Sequence, residues 1–326
     1  MSIPAVSVVI PLYNKERHVA RAVQTVLNQT HGDFELIVVD DGSTDGGARV
    51  VEAIQDLRIR LTRQANAGVS AARNRGIAEA RAGLVAFLDA DDEWLPDFLS
   101  TILRMRRRFP GCGAYATAFE IVNHVGQRKS ITLAGIPDPP WEGIVHNYFR
   151  SAIESANQIV HPSAVAIPKT VLDHVGHFPV GVVYGEDADM WCRIALRYPI
   201  AFSSLSGAVY HEDADNRACD RPMPLVFNEV IRSLEAALKS GISPPGVPIG
   251  DVVEYKNWWH ICSARVYIAA GLRSKARAHF RAAASTRRFR QEWRSRYLRS
   301  LVPLPLLDCA RTVKRLVCRA RACSVL

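Results

Sequence analysis

The chain has 326 residues, of which 48% are hydrophobic and 22% charged. That balance suits one large folded domain with an appendage, or two domains, and excludes disordered, collagen-like and coiled-coil classes. The net charge of +9 is unevenly spread: residues 271–326 hold fifteen Lys or Arg against Glu292 and Asp308, and the first 270 residues stand at −4, so the basic excess describes the C-terminus and not a site in the body.

No apolar run reaches the roughly 18 residues that span a bilayer. The opening MSIPAVSVVIPLYNKE has no basic stretch before its apolar run and meets Lys15 and Glu16 early, which does not read as a signal peptide. Seven cysteines, odd in number and scattered without a C-x-x-C, suit free thiols in a reducing cytoplasm and argue against a disulfide framework or zinc site. A cytoplasmic protein is expected.

In chain order, strand-like and helix-like patterns alternate, which predicts βαβ units and a mostly parallel sheet flanked by helices. Residues 6–10 form a continuous β-branched run, a strand buried on both faces, closed by Pro11. Helical spacing follows over 17–29, a strand over 34–40, and then the turn-forming cluster DDGSTDGG. A helix through 50–54, a short strand at 57–61, an Ala-rich helix over 67–80 and a buried strand at 84–88 come next. The small residues of 67–80 predict close packing on the sheet. A helix is expected over 94–109, strands over 113–125, 160–167 and 208–210, and a helix over 186–198. Beyond residue 216 the chain turns helical, over 225–239 and 255–270. We expect a catalytic domain over 1–220, a helical extension over 221–300 and a basic amphipathic tail over 301–326.

Open parallel sheets bind ligands at the carboxyl ends of their strands. Those ends carry Pro11, Tyr13 and Asn14, then Asp40 and Asp41, then Asp89, Asp91 and Asp92. The site is acidic, and no Gly-rich phosphate loop accompanies any strand–helix turn. Such a site holds a phosphorylated ligand only through a cation, and carboxylates completed by the ligand's own phosphates suit Mg²⁺ or Mn²⁺. Asp89-Ala90-Asp91 offers that pair directly after a strand.

The segments VSVVIPLYNKE, VVDDGSTDG, NAGVSAARNRGI, FLDADDEW and YGEDADMWCRI stand in the order and spacing of glycosyltransferase family 2, and the chain resembles that family over roughly residues 5–211. The resemblance implies a GT-A fold and an inverting glycosyltransferase. It implies that Pro11, Tyr13 and Glu16 line the base pocket, that Asp40 accepts from an imide N–H of uracil or thymine, and that Arg73 contacts the nucleotide. It further gives Asp89 to the ribose and Asp91 to a metal bridging the two phosphates. Against these stand plainer readings: a capped turn at Ser43 or Thr44, a structural Arg73, and Asp92 as a partner of the metal site or an N-cap. Arg75 and Glu79 read as a surface pair.

On the 186–198 helix, Asp189, Arg193 and Arg197 are expected to form a solvent-exposed ladder. Asp187, Met190, Trp191 and Ile194 define the inward face. The resemblance makes Asp187 the general base, with Glu186 in support; helix-dipole stabilisation by both acids is the alternative. It offers His211 as a metal or diphosphate contact, although VYHEDADNR lacks the basic residue that commonly precedes the histidine. Trp94 and Trp191 read as core residues.

The tail sets Leu306, Leu307, Ala310, Val313, Leu316 and Val317 on one stripe, with Arg311, Lys314, Arg315, Arg319 and Arg321 largely away from it. That pattern suits an anionic membrane surface, or packing on protein, and comes with no nucleic-acid module. The expected activity is metal-dependent transfer of a hexose-type sugar, UDP-linked by preference, to a hydroxyl of a glycan or lipid-linked glycan in cell-surface polysaccharide or lipopolysaccharide assembly. Two alternatives stay open: a sugar nucleotidyltransferase, and a non-catalytic sugar-nucleotide or glycan-binding protein.

Overall fold

The structure, a computed structural model, describes residues 3–155, 158–215, 217, 228–244 and 246–301. Two compact units divide after Val252. The expected boundary near 220 and the basic tail beyond Leu301 lie outside the described residues.

The first unit opens with β1 (Val6–Leu12), α1 (Val19–Leu27), β2 (Phe34–Asp40), α2 (Gly47–Glu52), β3 (Ile59–Arg63), α3 (Val69–Glu79) and β4 (Leu84–Phe87). It continues with β5 (Glu93–Trp94), α4 (Phe98–Arg108), β6 (Ala114–Val122), β7 (Arg128–Ser130), β8 (Glu142–Ile144), α5 (Tyr148–Ser155), β9 (Val165–Pro168), α6 (Lys169–Val175), α7 (Glu186–Ala195), β10 (Ile200–His211) and α8 (Asn228–Lys239). Among the described residues these strands form one sheet in the order β3-β2-β1-β4-β9-β6-β10-β5, with β7 on β6 and β8 on β10. The four strands from β3 to β4 are parallel, as are β6 and β10, and β9 runs antiparallel between β4 and β6. The α/β class and the parallel N-terminal half follow the alternating pattern of the sequence. Among the described residues no helix is long and apolar enough to cross a membrane.

Every residue of β1 and β2 is buried, as continuous apolar runs require of strands covered on both faces. Helix α3 lies so close to β1 that a Cβ on Gly76 would stand 2.3 Å from Val9 Cγ1. That is the close packing expected from its small residues.

Pro11 does not end β1, which continues to Leu12 and stays in register with β2. Strand β4 pairs with β1 only over Ser7–Val9, and the Val9 carbonyl accepts from Leu88 N at 3.1 Å. Two residues on, Pro11 faces that same side, where β4 has already ended. Its missing N–H therefore forfeits no ladder bond.

The helix expected over 94–109 begins at Phe98, because Pro96 holds Leu95 in extended backbone while Glu93 and Trp94 pair with β10. The expected strand over 208–210 is the C-terminal quarter of a twelve-residue strand, β10. Its register slips between Ser203, Ser206 and Ala208, and that irregular pairing blurs the alternation a sequence reading depends on. Trp94 and Trp191 are core residues, 3% and 0% exposed.

Helix α9 (Ile249–Ala269) leads into the second unit, which contains α10 (Arg273–Ala282) and α11 (Arg290–Leu301). Ala264, Tyr267, Ala276 and Phe280 form its small core, against which Trp293 and Tyr297 pack.

Candidate active site

The loops after β1 and β4 diverge where these parallel neighbours stop pairing, leaving a crevice at the carboxyl ends of the strands. This is where the direction of the chain order reverses, the usual ligand position in open α/β sheets. Loops after β1, β2 and β4, helix α3 and the N-terminus of α7 supply its side chains.

The first two loops are fastened to each other. Asn14 takes a left-handed conformation (φ 52°), and its Oδ1 accepts from Thr44 N at 2.7 Å. Glu16 Oε2 accepts from Gly46 N at 3.0 Å, while Glu16 N donates to Asp45 Oδ2 at 2.9 Å. Glu16 thus braces the DDGSTDG turn from its exposed rim, and Tyr13 is half-buried beside Pro11 in the chain. Asp40 is 4% exposed; its Oδ1 accepts from Ser43 N at 2.9 Å, and Arg63 Nε lies 3.8 Å from Oδ2. Asp41 has a structural task, accepting from Gln64 Nε2, Ala67 N and Gly68 N at 2.7, 3.0 and 2.8 Å and so fixing the entry to α3. The N-cap of α2 is Gly46, and it is Asp45 Oδ1, not Ser43 or Thr44, that accepts from the first helical N–H, Gly47 N, at 2.9 Å.

Three carboxylates crowd the loop after β4, and each is accommodated differently. Asp89 faces Arg73 NH2 at 2.8 Å. Burial would raise its carboxyl, but the guanidinium outweighs burial and holds it below the usual carboxylate range. Asp91 Oδ2 meets Lys15 Nζ at 2.6 Å across the crevice, and Arg21 NH2 donates to the Asp91 carbonyl at 2.6 Å. Asp92 is 1% exposed and is not an N-cap. It accepts from Ser163 Oγ and from His211 N, the latter at 3.1 Å, and so ties the loop to the end of β10. Burial, then the charges of Asp91 and Asp89, push its carboxyl well above the ordinary range.

Helix α7 presents Glu186 and Asp187 from its first turn. Arg73, 2% exposed, reaches Glu186 Oε1 at 3.2 Å while holding Asp89, and its guanidinium lies 5.3 Å from the centre of the Phe178 ring. It is therefore a bridge between the two acidic groups, with Nε still lacking a hydrogen-bond partner among the described residues. Asp187 Oδ1 accepts from Gln158 Nε2 at 3.3 Å and from Ala188 N at 2.6 Å. Burial first, and then the charge of Asp187, push the Glu186 carboxyl up to about 7 against the pull of Arg73. Burial likewise raises Asp187. A pair of carboxyls with raised proton affinity is equipped to take up a proton.

The expected exposed ladder on α7 is in fact enclosed. Asp189 is 3% exposed; it accepts from Arg193 Nε at 2.8 Å and from Ser233 Oγ of α8 at 2.6 Å. Arg193 donates to the carbonyls of Val175, Gly176 and His177 at 2.7, 2.6 and 2.9 Å. The charged face carries the neighbouring segments instead of facing water, so α7 is anchored on both sides.

Asp91 already takes positive charge from the Lys15 ammonium, and a single carboxylate completed by phosphate oxygens is an ordinary Mg²⁺ or Mn²⁺ donor set. His211 does not join Asp91 in a ligand cluster. Its Nε2 lies 2.7 Å from Glu93 Oε1 and its Nδ1 3.0 Å from Asp213 Oδ1. Among the described residues no group of three or more His, Cys, Asp or Glu is arranged to hold a metal.

The structure brings Asp89, Asp91, Arg73, Glu186 and Asp187 to one crevice and adds Lys15, which sits in the first family-like segment with no role assigned to it, and Gln158 and Ser163, which lie in none. Half-buried His161 is a fourth addition: its Nδ1 accepts from Ser163 N at 3.2 Å, and desolvation lowers it to about 4, a neutral ring. Lys15 stands beside the motif asparagine, but only the fold reveals that it crosses to Asp91.

The pattern of Glycosyl transferase family 2 matches residues 7–154. An uncharacterized glycosyltransferase of Nostoc sp. is 45% identical over 228 residues, covering 64% of this chain and 67% of its own length. One from Rickettsia felis is 32% identical over 200 residues, 60% of this chain but only 31% of that protein. Among solved structures, Staphylococcus aureus TarS residues 1–349 in complex with UDP-GlcNAc aligns over 90% of this chain and 88% of that one, with a TM-score of 0.68 and 16% identity. The mannosyltransferase PcManGT of Pyrobaculum calidifontis, in complex with GDP-Man and Mn²⁺, aligns over 96% and 80%, with a TM-score of 0.57 and 20% identity. Both structural likenesses speak for the fold.

Proposed function

The chain belongs to glycosyltransferase family 2 and transfers a sugar from a nucleotide-sugar donor, and from this we propose a metal-dependent, inverting transfer to an acceptor hydroxyl, with a UDP-sugar as donor. The observation that carries the reading is the Arg73 bridge, which sets a donor-side carboxylate, Asp89, beside an acceptor-side pair, Glu186 and Asp187.

On this reading Pro11, Tyr13, Glu16 and Asp40 surround the base, with Asp40 accepting from the uracil imide, and Asp89 meets the ribose. Asp91 holds the divalent cation. When bound, the cation stabilises negative charge on the leaving nucleoside diphosphate. Asp187 accepts the acceptor hydroxyl's proton as that oxygen attacks the anomeric carbon, and the bond from that carbon to the diphosphate oxygen breaks on the opposite face. The raised Asp187 carboxyl is a stronger base than an exposed aspartate, and Gln158 aims it. Glu186 keeps a proton to higher pH, which spares the crevice a further negative charge while the phosphates are present. His211, held by Glu93 and Asp213, braces the loop through its backbone N–H to Asp92.

The UDP preference is supported by the TarS fold neighbour with UDP-GlcNAc, and the cation by PcManGT with Mn²⁺. We place the acceptor among glycans or lipid-linked glycans of cell-surface assembly, with residues 1–220 as the catalytic part and the basic tail 301–326 on an anionic membrane at the cytoplasmic face. Turnover of UDP-, GDP-, CDP- and TDP-sugars with and without Mn²⁺, with the product anomer read by NMR, tests the central reading. Retention of configuration, or equal turnover in excess EDTA, overturns it. Flotation on anionic vesicles with and without residues 301–326 tests the tail, and equal flotation removes that part.

A further inference from the structure

Lys15 does more than neutralise Asp91. Its ammonium, in a side chain only 10% exposed, donates at 2.6 Å to Asp91 Oδ2 and also at 2.6 Å to the carbonyl of Asp215. Asp215 is held from its other end by His18 Nε2 at 2.7 Å, with Arg17 NH1 3.8 Å away. Residues 212–215, which follow β10, are thus tied to the start of α1 and, through one lysine, to the carboxylate assigned to the cation.

We infer that Lys15 is an internal cation competing with the divalent ion for Asp91, so that loading of the donor site is coupled to release of residues 212–215. The inference rests on the assignment of Asp91 to the cation. An ammonium and a divalent ion on one carboxylate repel each other at a few ångströms in a partly enclosed crevice, so the ion competes with Lys15 for Asp91. As the ion arrives, Lys15 is driven away from Asp91, and the new position of the ammonium need not keep the Asp215 carbonyl. Linkage makes the effect reciprocal: whatever detaches residues 212–215 frees Lys15 and eases entry of the ion. Once displaced, the ammonium is a flexible point charge beside the diphosphate, a role its stem and chemistry suit. The three acids of the loop follow one logic, since Arg73 serves Asp89, buried hydrogen bonds serve Asp92, and Lys15 is the one replaceable partner.

The probe is Mn²⁺ alone, titrated into the full chain with free ion read by electron paramagnetic resonance. Lys15→Met keeps the stem and removes the charge, and is expected to bind Mn²⁺ about tenfold more tightly, within the range of site-to-site couplings. Lys15→Arg keeps the charge and is expected to stay within about twofold of wild type by the same linkage. Hydrogen exchange at residues 212–215 provides a second readout: faster in metal-free Lys15→Met than in wild type, and accelerated in wild type by Mn²⁺. Melting curves confirm that each variant folds, with Lys15→Gln in reserve for Met. Unchanged or weaker Mn²⁺ binding in Lys15→Met, with Asp91→Asn abolishing it, overturns the role of Lys15 and leaves the cation assignment standing. Mn²⁺ binding that survives Asp91→Asn overturns the assignment itself.

Discussion

Arg73 and Glu186 lie 113 positions apart in the chain, yet the guanidinium of one stands 3.2 Å from the carboxylate of the other and 2.8 Å from Asp89. The arginine is buried, and its charge is stabilised chiefly by these two acids, with Asp187 and the Phe178 ring nearby. Burial would lower its proton affinity, and the acids raise it instead.

Removing that charge should cost more than a contact. Arg73→Met leaves two partly buried carboxylates without their counter-ion, a loss whose upper end is about 3–5 kcal/mol, that of a fully buried pair. The expected result is a clear fall in melting temperature and a kcat/KM at least about a hundredfold lower, by the same energy scale. Arg73→Lys should recover part of the stability and little of the rate, because an ammonium cannot fork to Asp89 and Glu186 together. Steady-state kinetics and calorimetry on both variants check this.

The pH profile should distinguish the two acids of α7. Burial raises both carboxyls, Glu186 up to about 7 with the charge of Asp187 adding to the effect, so the pair should give kcat an acidic limb and a further change near pH 7. Glu186→Gln imitates the protonated form, and should leave the acidic limb in place while removing any change of rate near pH 7. Stability follows the same sign. Glu186 binds its proton more tightly folded than unfolded, so its contribution is full below the unfolded value of 4.5 and is lost as pH rises toward 7. Unfolding free energy measured between pH 5 and 8 should fall less steeply in Glu186→Gln than in wild type.

Asp91 and Asp187 should fail in different ways. Asp91→Asn is expected to abolish Mn²⁺-dependent transfer, and near-normal turnover at saturating Mn²⁺ would reject its role. Asp187→Asn should lower kcat by about 10²–10⁴, the usual worth of a positioned base, with donor affinity nearly unchanged. Isothermal titration of UDP and Mn²⁺ into the two variants separates the cases.

Gly76→Ala tests the packing beneath the crevice. The new methyl would meet Val9 Cγ1 at 2.3 Å, and overpacking of this kind costs about 1–3 kcal/mol. Chemical denaturation should show that loss, and Val9→Ala in the same chain should return part of it.

Much of this arrangement was legible from the residues. Strands β1, β2 and β4 announced themselves as continuous apolar runs, and the acids at their ends marked the crevice. Helical spacing predicts an inward Asp187; the structure leaves it half-buried against Gln158, at the edge of the buried face of Met190, Trp191 and Ile194. What the residues could not show was which long-range partner each acid would find. Arg73 has the spacing of an inward side chain, but spacing cannot tell a ligand contact from a bridge to Asp89 and Glu186. Asp189 and Arg193 look like a solvent-facing pair at i,i+4, because nothing local reports that α8 and residues 175–177 will cover them. Asp92 resembles a helix cap until Pro96 delays α4 and β10 claims the carboxylate.

The hydroxyl of Ser233 has a consequence for how small a working version of this enzyme can be. By seating α8 on Asp189, it makes a helix far downstream part of the foundation of Asp187, two residues away. A chain trimmed at the last recognisable motif would keep every group proposed for the reaction and yet strip buried Asp189 of its cover. Minimal fragments and domain exchanges should therefore retain residues 228–239 with the motif-bearing body.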